Sequence, residues 1–104
     1  YDIIVPFNNY AEQNPIDWLN ATIKSINDLS LNVDTNNIKG IGLSGQMHGL
    51  VLLDKYDNLL YNSIIWCDNR TIKEKEEIEK FGINKIREIT GNFPMPAFTL
   101  AKLL

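Results

Sequence analysis

Five residues, Gly45-Gln46-Met47-His48-Gly49, interrupt an otherwise apolar stretch, and that interruption narrows the folds open to the chain. Upstream, Ile41-Gly42-Leu43-Ser44 reads as the end of a short buried strand. Downstream, Leu50-Val51-Leu52-Leu53 resumes the apolar run. A polar turn, Asp54–Asn58, separates it from Leu59–Trp66, and the stretch closes at Cys67-Asp68-Asn69-Arg70. Short apolar runs punctuated by turn residues predict strands, with a hairpin around the five-residue loop 54–58.

The break places three side chains of different chemistry between two glycines. Glycine has no Cβ, so it permits φ > 0 or a close backbone approach. His48 is the only histidine of the chain. A neutral imidazole offers one donor and one acceptor, which suits a hydroxyl-bearing ligand. Gln46 offers both functions as well, and Met47 is flexible enough to pack on the carbon face of a small molecule. The alternative for His48 is a satisfied histidine of the core.

These residues belong to a longer series of blocks. Ile41–Asp54, IGLSGQMHGLVLLD, is similar to the GQMHG segment of the FGGY carbohydrate kinases, in the form that acts on xylulose. Asn14-Pro15-Ile16-Asp17-Trp18 resembles the family's Asp-Pro-x-x-Trp helix start, with asparagine in place of aspartate. Ile65–Arg70 resembles its Trp-x-Asp-x-Arg segment. Ile89–Asn92, Pro96–Thr99 and Lys102–Leu104 resemble its Thr-Gly-Asn and Phe-Thr-x-x-Lys-Leu blocks, with Ala97 where glycine is frequent.

The resemblance implies transfer of the γ-phosphoryl group of ATP, with magnesium, to a hydroxyl of a small-molecule sugar, D-xylulose first. Met47 and His48 match the family's substrate-contacting pair, and Gln46 is adjacent. Asp68 has two readings: acceptor for sugar hydroxyls, or N-cap of the charged helix that follows. Arg70 is read as orienting Asp68, neutralising phosphate, or standing solvated at a helix start. Lys102 is read as a surface lysine. No catalytic base and no metal ligand is assigned. The resemblance puts the phosphate loop before this segment, and the base and nucleotide-binding half after it. Residues 1–104 are therefore expected to form an incomplete N-terminal domain, inactive alone. Alternatives are a kinase of the same family for glycerol, gluconate or ribulose, and a non-catalytic sugar-binding module.

Composition excludes other classes. Ten Lys and Arg against thirteen Asp and Glu give a net charge of −3, with no basic footprint for nucleic acid or an anionic membrane. The single cysteine, Cys67, rules out an internal disulfide and fits a reducing, cytoplasmic setting. No apolar run approaches the roughly 20 residues of a spanning helix. A homodimer is compatible with the family.

In chain order, Tyr1–Phe7 is expected to be a strand and Asn8–Gln13 a polar loop. Asn14 is expected to cap a helix to about Leu29, with Pro15 at its first position and Asp17 in its first turn. Trp18, Leu19, Thr22, Ile23 and Ile26 share one stripe at helical spacing, expected to pack in the core. Ser30–Asn37 is a connection, Ile38–Ser44 a strand, and Asn62–Trp66 another, with Ile65 opposite Ile64 and Trp66. A charged helix is expected over 71–81 with Ile72, Ile78 and Phe81 inward, ending at Gly82. Another runs from Asn84 to Gly91, and a last one starts near Phe98. The order is α/β, a mixed sheet with flanking helices. The resemblance sharpens it to part of an actin-like, ribonuclease-H-like domain.

Overall fold

The start of the first helix is fixed by its own residues. In the computed structural model, which describes Tyr1–Leu104, the Asn14 side chain accepts a hydrogen bond from the Ile16 amide at 3.0 Å. Pro15 occupies the first helical position, where no amide hydrogen is needed, and Asp17 places negative charge in the first turn. Helix α1 then runs Pro15–Ser30. Its apolar stripe is largely uncovered: Leu19 is 55% exposed, Ile23 and Ile26 are similar, and no residue of α1 is buried. The core packing expected for that stripe is not provided within this chain.

The sheet is small and every pairing in it is antiparallel, where a mixed sheet was expected. Strands β1 (Glu12–Gln13) and β2 (Ser63–Ile64) pair in the register Glu12 to Ile64 and Gln13 to Ser63. Isolated bridges extend it on both sides, Ile4 to Glu12 and Leu50 to Ile64. Tyr1–Phe7 thus contributes one paired residue, and Ile38–Ser44 forms no strand at all. Strand propensity needs a neighbour's amides and carbonyls to become a strand, and residues 38–44 have no such partner here. The expected hairpin is present as the Leu53 to Leu59 bridge. Its turn is organised by Asp54, whose carboxylate accepts from the amides of Tyr56 and Asn58 and from the Asn58 side chain.

Three short helices follow. Helix α2 spans Ile72–Glu79, with Thr71 at its N-cap position and no side-chain capping bond. Of its three expected inward residues only Ile78 is buried, while Ile72 and Phe81 are exposed. Gly82, at φ 97°, turns the chain into α3 (Ile83–Thr90). That helix ends at Gly91 in the left-handed conformation, its amide bonded to the Arg87 carbonyl. Helix α4 is a single turn, Thr99–Lys102. It is tied to α2 through the Thr71 hydroxyl, which donates to the Pro96 carbonyl at 2.6 Å.

The interior is more polar than apolar. Ala11, Leu50, Ile65, Ile78 and Ala101 are buried, but so are Glu12, Gln13, Ser63, Asp68, Thr71 and Lys102. The segment expected as a polar loop, 8–13, supplies the inner strand. With a radius of gyration of 17.8 Å, against about 13 Å for a compact domain of this length, the chain is elongated. No helix is long and apolar enough to cross a membrane.

Candidate functional site

The glycine-bracketed turn is open on one side and anchored on the other. Met47 is 75% exposed, and Gln46 is also exposed. The Gln46 side-chain amide donates to Gln13 Oε1 at 3.2 Å, and the Trp18 indole donates to the same oxygen at 3.1 Å. Gln13 thereby fastens the turn to both β1 and the first turn and a half of α1.

The unusual backbone lies on the histidine and not on the glycines. Gly45 and Gly49 have ordinary φ values, whereas His48 sits at φ 60°. A left-handed non-glycine residue costs roughly 1–2 kcal/mol, so the surroundings must hold it there. At Gly49 an added Cβ would make only ordinary van der Waals contact, 3.5 Å from the Ser63 hydroxyl. The His48 ring is half-buried and stacks on Phe98, with centroids 4.2 Å apart and planes 20° from parallel. Its backbone carbonyl accepts from Lys102 Nζ at 2.7 Å. Its ring nitrogens make no hydrogen bond within the chain, so donor and acceptor are both available.

Lys102 departs most from expectation. It is 8% exposed, with no carboxylate against it. Its ammonium donates to three carbonyls: His48 at 2.7 Å, Ile65 at 2.9 Å and Ile64 at 3.3 Å. Three donors meet three acceptors, which satisfies the group. Burial pushes its pKa below the usual lysine value, opposed by the negative charge of nearby Asp68. Nothing in a four-residue apolar helix marks a lysine as buried, but its spacing of four from Phe98 puts both on one helical face.

Asp68 corrects one of its expected roles, that of helix cap. It does not cap α2, whose N-cap position is Thr71. Its carboxylate is 0% exposed and already engaged. Oδ2 accepts from the Ala11 amide at 2.6 Å and from Arg70 Nη2 at 2.7 Å. Oδ1 accepts from the Arg70 amide and from Arg70 Nε, both at 3.0 Å. Two carboxylate oxygens offer about four lone-pair positions, and these are filled from within the chain.

Arg70 is accordingly not a solvated helix-start residue. Its Nη2 also pairs with Glu12 at 2.7 Å, and its guanidinium lies 3.8 Å from the centre of the Tyr10 ring. Glu12 accepts further from the Tyr61 hydroxyl and the Asn62 side chain. Burial pushes Glu12 and Asp68 upward, but the hydrogen bonds from Arg70 and its neighbours outweigh it. Both carboxyls are held below the usual carboxylate range, and Arg70 is raised. The structure thus keeps Gln46, Met47 and His48 together on one turn and buries Asp68 against Ala11 and Arg70. No group of three or more His, Cys, Asp or Glu is placed to hold a metal ion. The carboxylates of Glu12 and Asp68 form an ionic knot with Arg70, so these two residues do not fit a magnesium site.

The same assembly of segments occurs in known proteins. The chain is 44% identical to a xylulose kinase of Bacillus subtilis over 107 residues, covering all of this chain and 21% of the relative. A crystal structure described as a xyloylose kinase from Brucella ovis superposes with a TM-score of 0.90 at 39% identity, over 98% of this chain and 22% of that one. A gluconate kinase from Lactobacillus acidophilus superposes at 0.89 with 33% identity, over 99% of this chain and 21% of that one. The chain thus spans about a fifth of the length of the relatives it matches, and its actin-like α/β architecture is theirs. The model of the FGGY family of carbohydrate kinases, N-terminal domain, matches residues 1–104, and the chain belongs to that family.

Proposed function

We propose that this chain supplies part of the sugar-binding site of an ATP-dependent kinase that converts D-xylulose to D-xylulose 5-phosphate in the cytoplasm. The observation that carries this reading is the open Gln46-Met47-His48 turn in a chain 44% identical to a xylulose kinase. His48 uses its unpaired ring nitrogens to bond sugar hydroxyls. Met47 covers the carbon face of the sugar, and Gln46, its amide held by Gln13, turns its carbonyl oxygen to the ligand. Asp68 acts behind the turn, keeping Ala11 and Arg70 in place. ATP and magnesium supply the phosphoryl group and its charge compensation. The contribution of this chain is binding and orientation of the sugar. Effective catalysis of phosphoryl transfer is largely positioning and charge stabilisation, so orientation matters for rate as well as affinity.

The test is a coupled kinase assay on the full-length protein with a panel of sugars, beside the His48→Ala variant. Loss of a neutral hydrogen bond in a closed site costs about 1–3 kcal/mol, so kcat/KM for the sugar should fall about 5- to 150-fold. The KM for ATP should change little. A variant that melts earlier while its folded fraction keeps normal sugar kinetics would return His48 to a packing role. The similarity to a gluconate kinase at 33% identity supports a second reading, with a sugar acid as substrate. Preference for gluconate over xylulose in the same panel would decide for it.

A further inference from the structure

Phe98, at the N-cap of α4, and Lys102, its last residue, grip His48 at opposite ends. The Phe98 ring stacks on the imidazole at 4.2 Å. The Lys102 ammonium holds the His48 carbonyl at 2.7 Å. The first contact sets the plane of the ring. The second sets the peptide following it, at a residue held at φ 60°. We infer that Phe98 and Lys102 are positioning residues, which orient His48 toward the sugar and so help determine sugar affinity. The inference rests on the proposed role of His48 in binding.

Several observations make this more than packing. Phe98 stands at the N-cap position of α4 yet makes no side-chain capping bond there. An aromatic ring is a poor cap, so capping does not account for it. Lys102 has no carboxylate partner, so an ion pair does not account for its burial either. Its other two acceptors, the carbonyls of Ile64 and Ile65, belong to β2 and the residue after it. One ammonium therefore ties the turn bearing His48 to the central strand. The helix itself is held by the buried Ala101 and by the bond from Thr71 to Pro96. His48 is thus fixed by groups that are themselves fixed, which is what accurate placement of a binding group requires.

The experiment uses the full-length protein and measures sugar KM, ATP KM, kcat and melting temperature. The variants are Phe98→Leu, Phe98→Tyr, Lys102→Met and His48→Ala, with His48→Ala combined with each of the first and third. Phe98→Leu removes the ring and should raise the sugar KM by about 3- to 10-fold, with ATP KM changed by less than about 2-fold. Phe98→Tyr keeps the ring and should restore most of that loss. Lys102→Met leaves the His48 carbonyl unpaired, while those of Ile64 and Ile65 keep the amides of Leu50 and Asp68, and should raise sugar KM by about 10-fold, again sparing ATP. In the His48→Ala background neither change should alter sugar kcat/KM by more than about 2-fold, because the group they orient is gone.

Unchanged sugar KM in Phe98→Leu, beside a large effect of His48→Ala, would overturn the inference and leave the binding role of His48 standing. Fully additive losses in the double variants would overturn it likewise. If His48→Ala itself leaves sugar kinetics intact, both readings fall together. Should Lys102→Met not fold, Phe98→Leu and its tyrosine rescue decide alone.

Discussion

The knot of Glu12, Asp68 and Arg70 and the apolar stripe of α1 invert the usual expectation of what is inside. The knot is ionic and buried; the stripe, Leu19, Ile23 and Ile26, is apolar and open. Buried charges persist when each is paired and each lone pair is used. The knot meets that condition, through bonds to Ala11, Tyr61, Asn62 and between its own members. The stripe shows the converse. Hydrophobic periodicity states which face of a helix would gain from burial, but burial needs a second surface. In this chain the Trp18 indole bonds Gln13, and the stripe faces residues 44–51 only across an open cleft.

Removing the cation of the knot should separate the two regions most clearly. Arg70→Met leaves two buried carboxylates without their partner, a loss of about 3–5 kcal/mol. Urea unfolding of the full-length protein should show it, and an unchanged midpoint would mean that the knot is not structural. The pH dependence sharpens the same point. Glu12 and Asp68 have folded pKa values below their unfolded ones. Their contribution is complete above the ordinary carboxylate values of about 4, and is lost as pH falls through the lower folded values. Melting temperature against pH should therefore drop in that acid window. In Arg70→Met the deficit should shrink as the pH falls, because protonated carboxyls no longer require a cation.

The stripe makes the next prediction. The chain Tyr1–Leu104 by itself should self-associate through its open apolar faces and the sheet edges at Ile4 and Leu50. Sedimentation should show species larger than a monomer, shifted toward monomer by Ile23→Lys with Ile26→Lys. A monomer at high concentration, with a sharp cooperative melt, would show that α1 needs no cover. The smallest effect belongs to the start of α1. Asn14→Ala should cost about 1 kcal/mol by loss of the bond to the Ile16 amide, while Asn14→Asp should be close to neutral. A neutral alanine would mean that tertiary contacts hold the start of α1, not its cap.

Against these expectations, the legible parts of the sequence are those governed by neighbours in the chain. Asn14-Pro15 started α1 where expected, Gly91 closed α3, and Asp54–Asn58 formed its turn, since capping and turn bonds reach only two to four residues. The order of motif blocks was also legible, and led to the right family. The exposed turn Gln46-Met47-His48 was singled out by its glycines, although the left-handed residue proved to be His48. What tertiary structure alone decided is the fate of the charged groups. Glu12 looked like loop, Asp68 like a sugar ligand or a cap, and Lys102 like a surface lysine. Their partners lie 58 residues away in Arg70, 57 in Ala11, and 54 in His48. A charge is stable inside only where such distant donors and acceptors converge on it. Convergence is a property of the folded arrangement, and no local pattern of residues encodes it.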